Sequence, residues 1–382
     1  MNNPDISNSL SISAVENARQ LKQFIDLSRS IYQQDPNWIP PLDFELKQRL
    51  SEKKNPFFKH ALGKKWLVYK NNQPVGRISA QIDQLNRNGV GHFGMLEARN
   101  DASVFALLLN TAESWLEKQG IVQIQGPFNL SINEESGLLV EGFDTPPYIM
   151  MGHALPYYQE HIIAAGYQKS MDLLAYLLPT DFETPAVMKR LASSAQKKVT
   201  VRTLRKKRLK EDLEILRDIF NDAWSENWQF TPFTEAEFKE IGQMIAFLVD
   251  DDLVQIAEID GRAVSFIVAM PNINEAIADL NGKLLPFGWL KLLWRLKVKY
   301  PQTARTPLMG VRKEFHHTRL GPALAFIVIE KVRHGLRRRN VREVELSWIL
   351  ETNDGMRNII DSLGGIPYKR YRVFGKELQS LS

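Results

Sequence analysis

At 382 residues the chain is long enough for two ordinary domains, and a composition of 44% apolar and 24% charged residues is that of a folded protein, not a disordered one. It has no cysteine, which excludes a disulfide framework, a thiol nucleophile and a cysteine-based zinc site. The net charge of +5 is modest, so its local placement says more than its total.

The start, MNNPDISNSLSIS, lacks the basic flank and apolar core of a secretory signal, and no run approaches the roughly 18 apolar residues that span a bilayer. A cytoplasmic protein is the expectation. Residues 14–34 read as an amphipathic helix with Ala18, Leu21, Phe24, Ile25 and Ile31 on one side, ended by Asp35-Pro36. Residues 66–69 and 75–82, about Asn71-Asn72, read as a β-hairpin. A short strand at 93–96 follows, then a helix capped by Asp101 and stopped by Gly120, then a strand at 121–124.

The densest polar stretch is 126–161, GPFNLSINEESGLLVEGFDTPPYIMMGHALPYYQEH. A loop this long is functional or disordered, and Leu138, Leu139, Val140, Phe143, Ile149, Met150 and Met151 argue against disorder. General-base chemistry needs a carboxylate or imidazole within hydrogen-bond reach of its proton; Glu134, Glu135 and His153 are the candidates. Asn129, Asn133, Tyr157 and Tyr158 would line the substrate beside them, with Trp289 from later in the chain. The competing reading has these carboxylates capping helices and pairing with arginines.

The basic run 197–210, KKVTVRTLRKKRLK, has no interleaved aromatics and precedes an acidic helix. It reads as an opening strand and a solvated turn, not as a nucleic-acid site. The order helix, hairpin, strand, helix, strand then recurs: a helix at 213–224, hairpin strands at 253–258 and 263–270 about Asp260-Gly261, then a strand–loop–helix. This is duplication at the level of fold, with domains at 1–180 and 195–382. Residues 221–231, with two tryptophans and Phe230, form either a wall for an apolar chain or a packed corner. In 280–301, Trp289 opens a segment where Lys291, Arg295 and Lys299 make a basic stripe among leucines and Trp294. Such a helix lies on a lipid surface through 284–299, covers an apolar channel, or is simply buried.

The last third spells out a binding site in order. A strand at 306–311 leads through the polar turn 316–321 into a helix carrying Leu324, Ile327, Val328 and Val332 at helical spacing; a strand at 341–348 follows. A strand running through a tight turn into a helix start leaves backbone N–H groups unpaired, the geometry that receives a phosphate. His316-His317 lacks a companion carboxylate at ligand spacing, so no metal site is expected.

This ordered set resembles the acyl-CoA-binding half of the GNAT (Gcn5-related N-acyltransferase) superfamily. His316-x-x-Arg319-x-Gly321 lies where that family has Arg/Gln-x-x-Gly-x-Gly/Ala, Asn353 matches its helix-opening Asn, and Gly364-Gly365 stands at its Gly-Phe. His316 and Arg319 depart from the pattern, and Ile360 replaces the tyrosine that often protonates the leaving thiolate; Tyr368 and Tyr371 are candidate stand-ins. The resemblance implies an α/β fold of two tandem GNAT-like domains, each a mixed sheet flanked by helices. It also implies acyl-CoA as co-substrate, held by Val311, His316, His317, Thr318, Arg319, Gly321 and Asn353, with direct transfer to an amine. The first copy runs from Leu96 straight into its helix without a glycine loop and is not expected to hold a pyrophosphate. The pattern Gly-Pro-x-Asn…Asn-Glu…Gly-Phe-Asp-Thr-Pro-Pro, from Gly126 to Pro147, further resembles bacterial tandem-GNAT proteins, some of which acylate long-chain amines in ceramide synthesis. That implies a sphingoid-type amine, and the 284–299 helix, if it lies on lipid, adds a peripheral place on the inner face of the membrane. Two alternatives stand beside it: a non-catalytic acyl-CoA- or lipid-binding protein, and an aminoacyl-tRNA-dependent transferase supported only by 197–210.

Overall fold

A computed structural model describes residues 9–86 and 88–379. Residues 1–8 of the stretch read for a secretory signal lie outside the described residues. The chain opens with β1 (Leu10–Ala14), α1 (Ala18–Ile31), α2 (Asp43–Arg49), β2 (Ala61–Lys70), β3 (Gln73–Asp83) and β4 (Val90–Ala98). It continues with α3 (Ala102–Glu117), β5 (Gln123–Gly126), β6 (Leu138–Glu141), α4 (Tyr157–Ala164), β7 (Gln168–Pro179) and α5 (Ala186–Ala195). Then come β8 (Val199–Thr203), α6 (Leu209–Ala223), α7 (Glu235–Leu248), β9 (Val254–Ile259), β10 (Arg262–Pro271) and α8 (Ile273–Ile277). The last elements are α9 (Gly288–Lys297), β11 (Thr303–Val311), α10 (Leu320–Arg338), β12 (Glu343–Leu350), α11 (Asp354–Ser362) and β13 (Ile366–Glu377).

Two compact units result. The first runs to Asp172 and includes Asn281–Lys283 and the chain from Arg370; the second is Leu173–Leu280 with Leu284–Lys369. The divisions fall inside β7 and β13, so the units do not follow the simple halves that chain order suggests. The cause is β13, whose 12 residues run on past the second unit until Phe374–Glu377 pair with β5.

In the first unit the strands lie in the order β1-β2-β3-β4-β5-β13, with β6 also on β13. Only β4 and β5 run parallel; the other pairs are antiparallel. The β2–β3 turn places Asn71 and Asn72 at φ of 52° and 60°, the left-handed conformation that primed hairpin turns need and asparagine tolerates. Asp101 accepts from the Ser103 N–H and starts α3, as its position suggested. Gly94 on β4 has no room for a side chain, because a Cβ there would run into the Phe128 carbonyl. That close approach seats the start of the 126–161 stretch on the sheet.

In the second unit the order is β7-β12-β11-β10-β9-β8, and again one pair, β11–β12, is parallel. Helix α10 makes the crossover between those two strands, as α3 does between β4 and β5. Every residue of β10 after Arg262 is buried. Since successive side chains point to opposite faces, both faces are covered: by α10 on one side and by α6 with α7 on the other. Helix α7 begins with a capping box, Thr234 and Glu237 each bonding the other's backbone N–H. The basic run folds as strand and turn, its Arg202 and Arg205 gripping the buried Asp212.

Candidate functional site

The parallel pairing of β11 and β12 runs from Thr303↔Glu343 to Thr306↔Leu346 and stops there, although the strands continue to Val311 and Leu350. At the same height the pairing of β12 with β7 slips between Leu346 and Ile349. A cleft of about 950 Å³, counted with its open mouth, fills the gap. Thr306, Pro307 and Met309 of β11 line one side; Ser347, Trp348 and Ile349 of β12 line the other. Ile329, Val332 and Leu336 of α10, Met356 and Ile360 of α11, and Trp224 after α6 complete the walls. Trp224 is fixed by its indole N–H, which donates to the Met309 carbonyl at 2.9 Å, and stands edge-on to Trp348. Walls this apolar suit a hydrocarbon chain.

Past the end of β11, a short 3₁₀ turn (Lys313–Phe315) leads into α10. No side chain caps that helix, and the backbone N–H groups of His317, Arg319 and Gly321 meet no acceptor among the described residues. A Cβ at Gly321 would run into the Phe315 carbonyl, so only glycine lets the loop approach so closely. Free N–H groups at the positive end of a 19-residue helix make a seat for an anion.

The other residues of this loop hold it in shape. His316 donates from Nε2 to the Val311 carbonyl at 2.7 Å. The Thr318 hydroxyl donates to Phe315 O at 3.0 Å and accepts from the Leu320 N–H at 3.2 Å. Asn353 caps α11 by accepting from the Met356 N–H at 3.1 Å, and also lines the cleft. The nearby cations are engaged: Arg312 with Asp218, Lys313 with Glu226, and Arg338 and Arg339 with Asp252.

The candidate base residues lie in the first unit. Arg49 gathers Glu134 at 3.3 Å and Glu135 at 2.9 Å, together with Glu45. Asn129 donates to Glu135 at 2.8 Å and accepts from the Met95 N–H at 2.8 Å, tying the stretch to β4. Burial alone would raise the Glu135 pKa; Arg49 and the Asn129 bond outweigh it and hold the carboxyl below its ordinary range. His153 Nε2 meets Asp35 at 2.7 Å with its side chain 4% exposed. The Tyr157 and Tyr158 hydroxyls donate to Ala98 O and to Glu97, and the Asn133 N–H donates to Ser131 Oγ. These groups come together in three places, around Arg49, around Asp35 and at the end of β4, where each bond pins the 126–161 stretch down. Trp289 is half exposed on α9 and does not line the cleft. Ile360 does, and is buried against Leu174 and Tyr176.

Absent from the sequence reading is a buried polar group on β11 and β12, Arg305, Glu345 and Ser347, which joins the half-buried Tyr368 of β13, one of the two stand-in tyrosines. Its signal was present as charged residues inside apolar strands, Arg305 in TARTPLMGV and Glu345, two places after Glu343, in EVELSWIL. Burial raises the Glu345 pKa, opposed by Arg305, Ser347, Tyr368 and Lys369.

Comparison with known proteins places this arrangement. A tandem GNAT protein from the clavulanic acid biosynthesis pathway superposes over 97% of this chain and 99% of its own, at a TM-score of 0.56 and 14% identity. A GCN5-related N-acetyltransferase from Sphaerobacter thermophilus matches over 97% and 96%, at 0.53 and 14%. At such identities the likeness shows the fold. The sequence relatives go further: the chain is 45% identical over 375 residues to the bacterial ceramide synthase of Caulobacter vibrioides, covering 97% of this chain and 98% of that one. The chain belongs to the family of this bacterial ceramide synthase, on a tandem GNAT fold. This tandem GNAT protein is also 51% identical over 367 residues to Protein YghO of Escherichia coli (strain K12), covering 95% and 94%. No family model matches it. Among the described residues of this tandem GNAT protein, no helix is long and apolar enough to cross a membrane, and no group of His, Asp and Glu is arranged to hold a metal ion.

Proposed function

We propose that this protein transfers a long acyl chain from acyl-CoA to the amine of a sphingoid-type lipid. The observation that carries this reading is the opening of β11 from β12 into an apolar cleft, with a free helix N-terminus at the end of the same β11. The N–H groups of His317, Arg319 and Gly321 would hold the pyrophosphate, with His316 and Thr318 keeping their loop in shape. The β11 edge to Val311 would guide the pantetheine, and the cleft wall at Trp224, Trp348 and Val332 would take the acyl chain. Positioning of the two substrates and release of the amine's proton are then the main demands on the site.

A lipid acceptor is supported by the name of the Caulobacter relative and by the surface of α9. Phe287, Trp289, Leu290, Leu293, Trp294 and Val298 are all exposed there, with Leu285 81% exposed just before them. Such a face suits the boundary between lipid headgroups and acyl chains, and peripheral attachment on the cytoplasmic side would bring the enzyme to a membrane-borne amine.

The test is mass spectrometry of the purified protein incubated with palmitoyl-CoA or acetyl-CoA and a panel of amines that includes sphingoid bases. The expected result is an N-acyl product from the long donor and the sphingoid base, with little from acetyl-CoA. Saturable CoA-ester binding without product from any amine would overturn catalysis in favour of a sensor, the reading that Ile360 in place of a tyrosine favours.

A further inference from the structure

A buried polar chain opens onto the cleft from the middle of β12. Glu345 lies between Val344 and Leu346 and is fully buried. A carboxylate is tolerated there only if its oxygens are satisfied. Ser347 donates to Oε1 at 2.5 Å, and the Tyr368 hydroxyl donates to Oε2. Arg305, the register partner of Glu345 on β11, lies 3.6 Å from the carboxylate and donates from Nε to Ser347 Oγ at 2.8 Å. The charged and titratable groups that face Glu345 are thus Arg305 on β11 and Tyr368 and Lys369 on β13. Ser347 belongs both to this chain and to the cleft lining, one residue past the last paired position of the two parallel strands.

We infer that Glu345, acting through the Ser347 hydroxyl, takes the proton that the acceptor amine must lose, while Tyr368 holds the other carboxylate oxygen. This rests on the N-acyltransferase reading and adds the groups that handle the proton. Attack of the neutral amine on the thioester carbonyl forms the C–N bond and leaves a surplus proton on nitrogen. That proton passes to Ser347 Oγ as the Ser347 proton passes to Glu345 Oε1, and collapse of the intermediate breaks the C–S bond. The proton then leaves Glu345 through the same hydroxyl for the departing thiolate. Amide and thiol form, and the carboxylate is restored. Ser347 has the capacity for this: Arg305 occupies one lone pair and Glu345 takes the O–H, which leaves the second lone pair for the amine. Burial pushes the Glu345 carboxyl up, against the pull of Arg305, Ser347, Tyr368 and Lys369. That shift brings the group toward the pH at which a proton acceptor works best.

The test compares wild-type protein with Glu345→Gln, Ser347→Ala and Tyr368→Phe, measuring acyl-CoA affinity by calorimetry and the pH profile of kcat. Glu345→Gln is expected to lower kcat by about 100-fold or more and to abolish the acid limb of the profile, with acyl-CoA affinity within about threefold of wild type. Ser347→Ala should lose at least about tenfold in kcat with the same affinity, and it decides the matter if Glu345→Gln does not fold. Tyr368→Phe should shift the acid limb without removing it. Variants that keep wild-type kcat and the acid limb would overturn the relay while leaving the N-acyltransferase reading intact. Failure of wild-type protein to acylate any amine would overturn both.

Discussion

Gly321 is the residue through which the anion seat can be tested by itself. Its missing side chain lets the loop pass against the Phe315 carbonyl, and the free N–H groups on either side depend on that path. Gly321→Val has to push the loop away, because a carbonyl in a short 3₁₀ turn cannot swing aside as a flexible side chain would. The expected outcome is a loss of CoA-ester affinity of at least tenfold by calorimetry, with far-UV circular dichroism unchanged; unaltered affinity would remove α10 from the binding site. Residues whose job is local were legible in the sequence. Gly321, Asp101 and the Asn353 cap act on atoms a few positions away, so spacing exposes them. The partners of Glu135 and His153 were not, because each lies far off in the chain: Arg49, 86 residues away, and Asp35, 118 residues away. A carboxylate in a polar loop reads the same whether it awaits a substrate or already holds an arginine. Glu345 is hidden for the opposite reason, since an acid alternating with apolar residues in a strand looks like an outward-facing residue until both faces are covered.

At the level of elements, periodicity and turn chemistry carried most of the assignment. Both hairpins turn where Asn71-Asn72 and Asp260-Gly261 predicted, with the left-handed φ values those turns require. The start of helix α7 is written locally in the chain, as the capping box Thr234-x-x-Glu237. Helix α9 shows how a correct pattern can receive a different physical part. Its basic stripe is partly spent, with Lys291 and Arg295 both bound to Asp279 and Lys297 near Asp250. The face left over is apolar, so attachment to a membrane should rest on insertion more than on charge. Trp294→Glu is expected to weaken sedimentation with vesicles containing phosphatidylglycerol by at least tenfold, because a charge on that face must stay in water. Wild-type binding should survive 0.5 M salt largely intact, roughly because screening at that strength shortens the reach of charges to a few ångströms while leaving apolar burial in place. Binding abolished by salt and indifferent to Trp294→Glu would return the stripe to the leading role.

On the scale of the whole molecule, each unit is braced internally by carboxylates that must stay charged. In the first unit, Asp172 is 1% exposed and held by Lys169, Arg370 and Arg372, and Glu135 is held by Arg49. In the second, Asp212 is held by Arg202 and Arg205, and Asp252 by Arg338 and Arg339. For each of these four, burial raises the pKa, but the arginine and lysine bonds win and leave it below the ordinary range. A carboxyl whose folded pKa is depressed contributes stability above its unfolded pKa, and that contribution disappears as pH falls through the folded value. Glu97 and Glu345 work the other way: burial raises both, so each costs stability when charged and is relieved by protonation. Asp101, Glu214 and Asp279 are depressed as well, so seven carboxyls stand against two, and the seven, distributed through both units, set the sign. The thermal midpoint should start to fall below about pH 6.5, where His92, pushed down to about 4 by burial, stays neutral while the unfolded imidazole takes up a proton, and should fall more steeply below about pH 4, where ordinary carboxylates are protonated. Circular dichroism melts across that range measure it directly. Asp172→Asn should lower the midpoint at neutral pH and make the acid fall shallower, since one of the protonations that drives it has been removed in advance. A midpoint that holds from pH 7 to pH 3 in wild-type protein would mean that these ion pairs are decoration on a fold held by its apolar sheets alone.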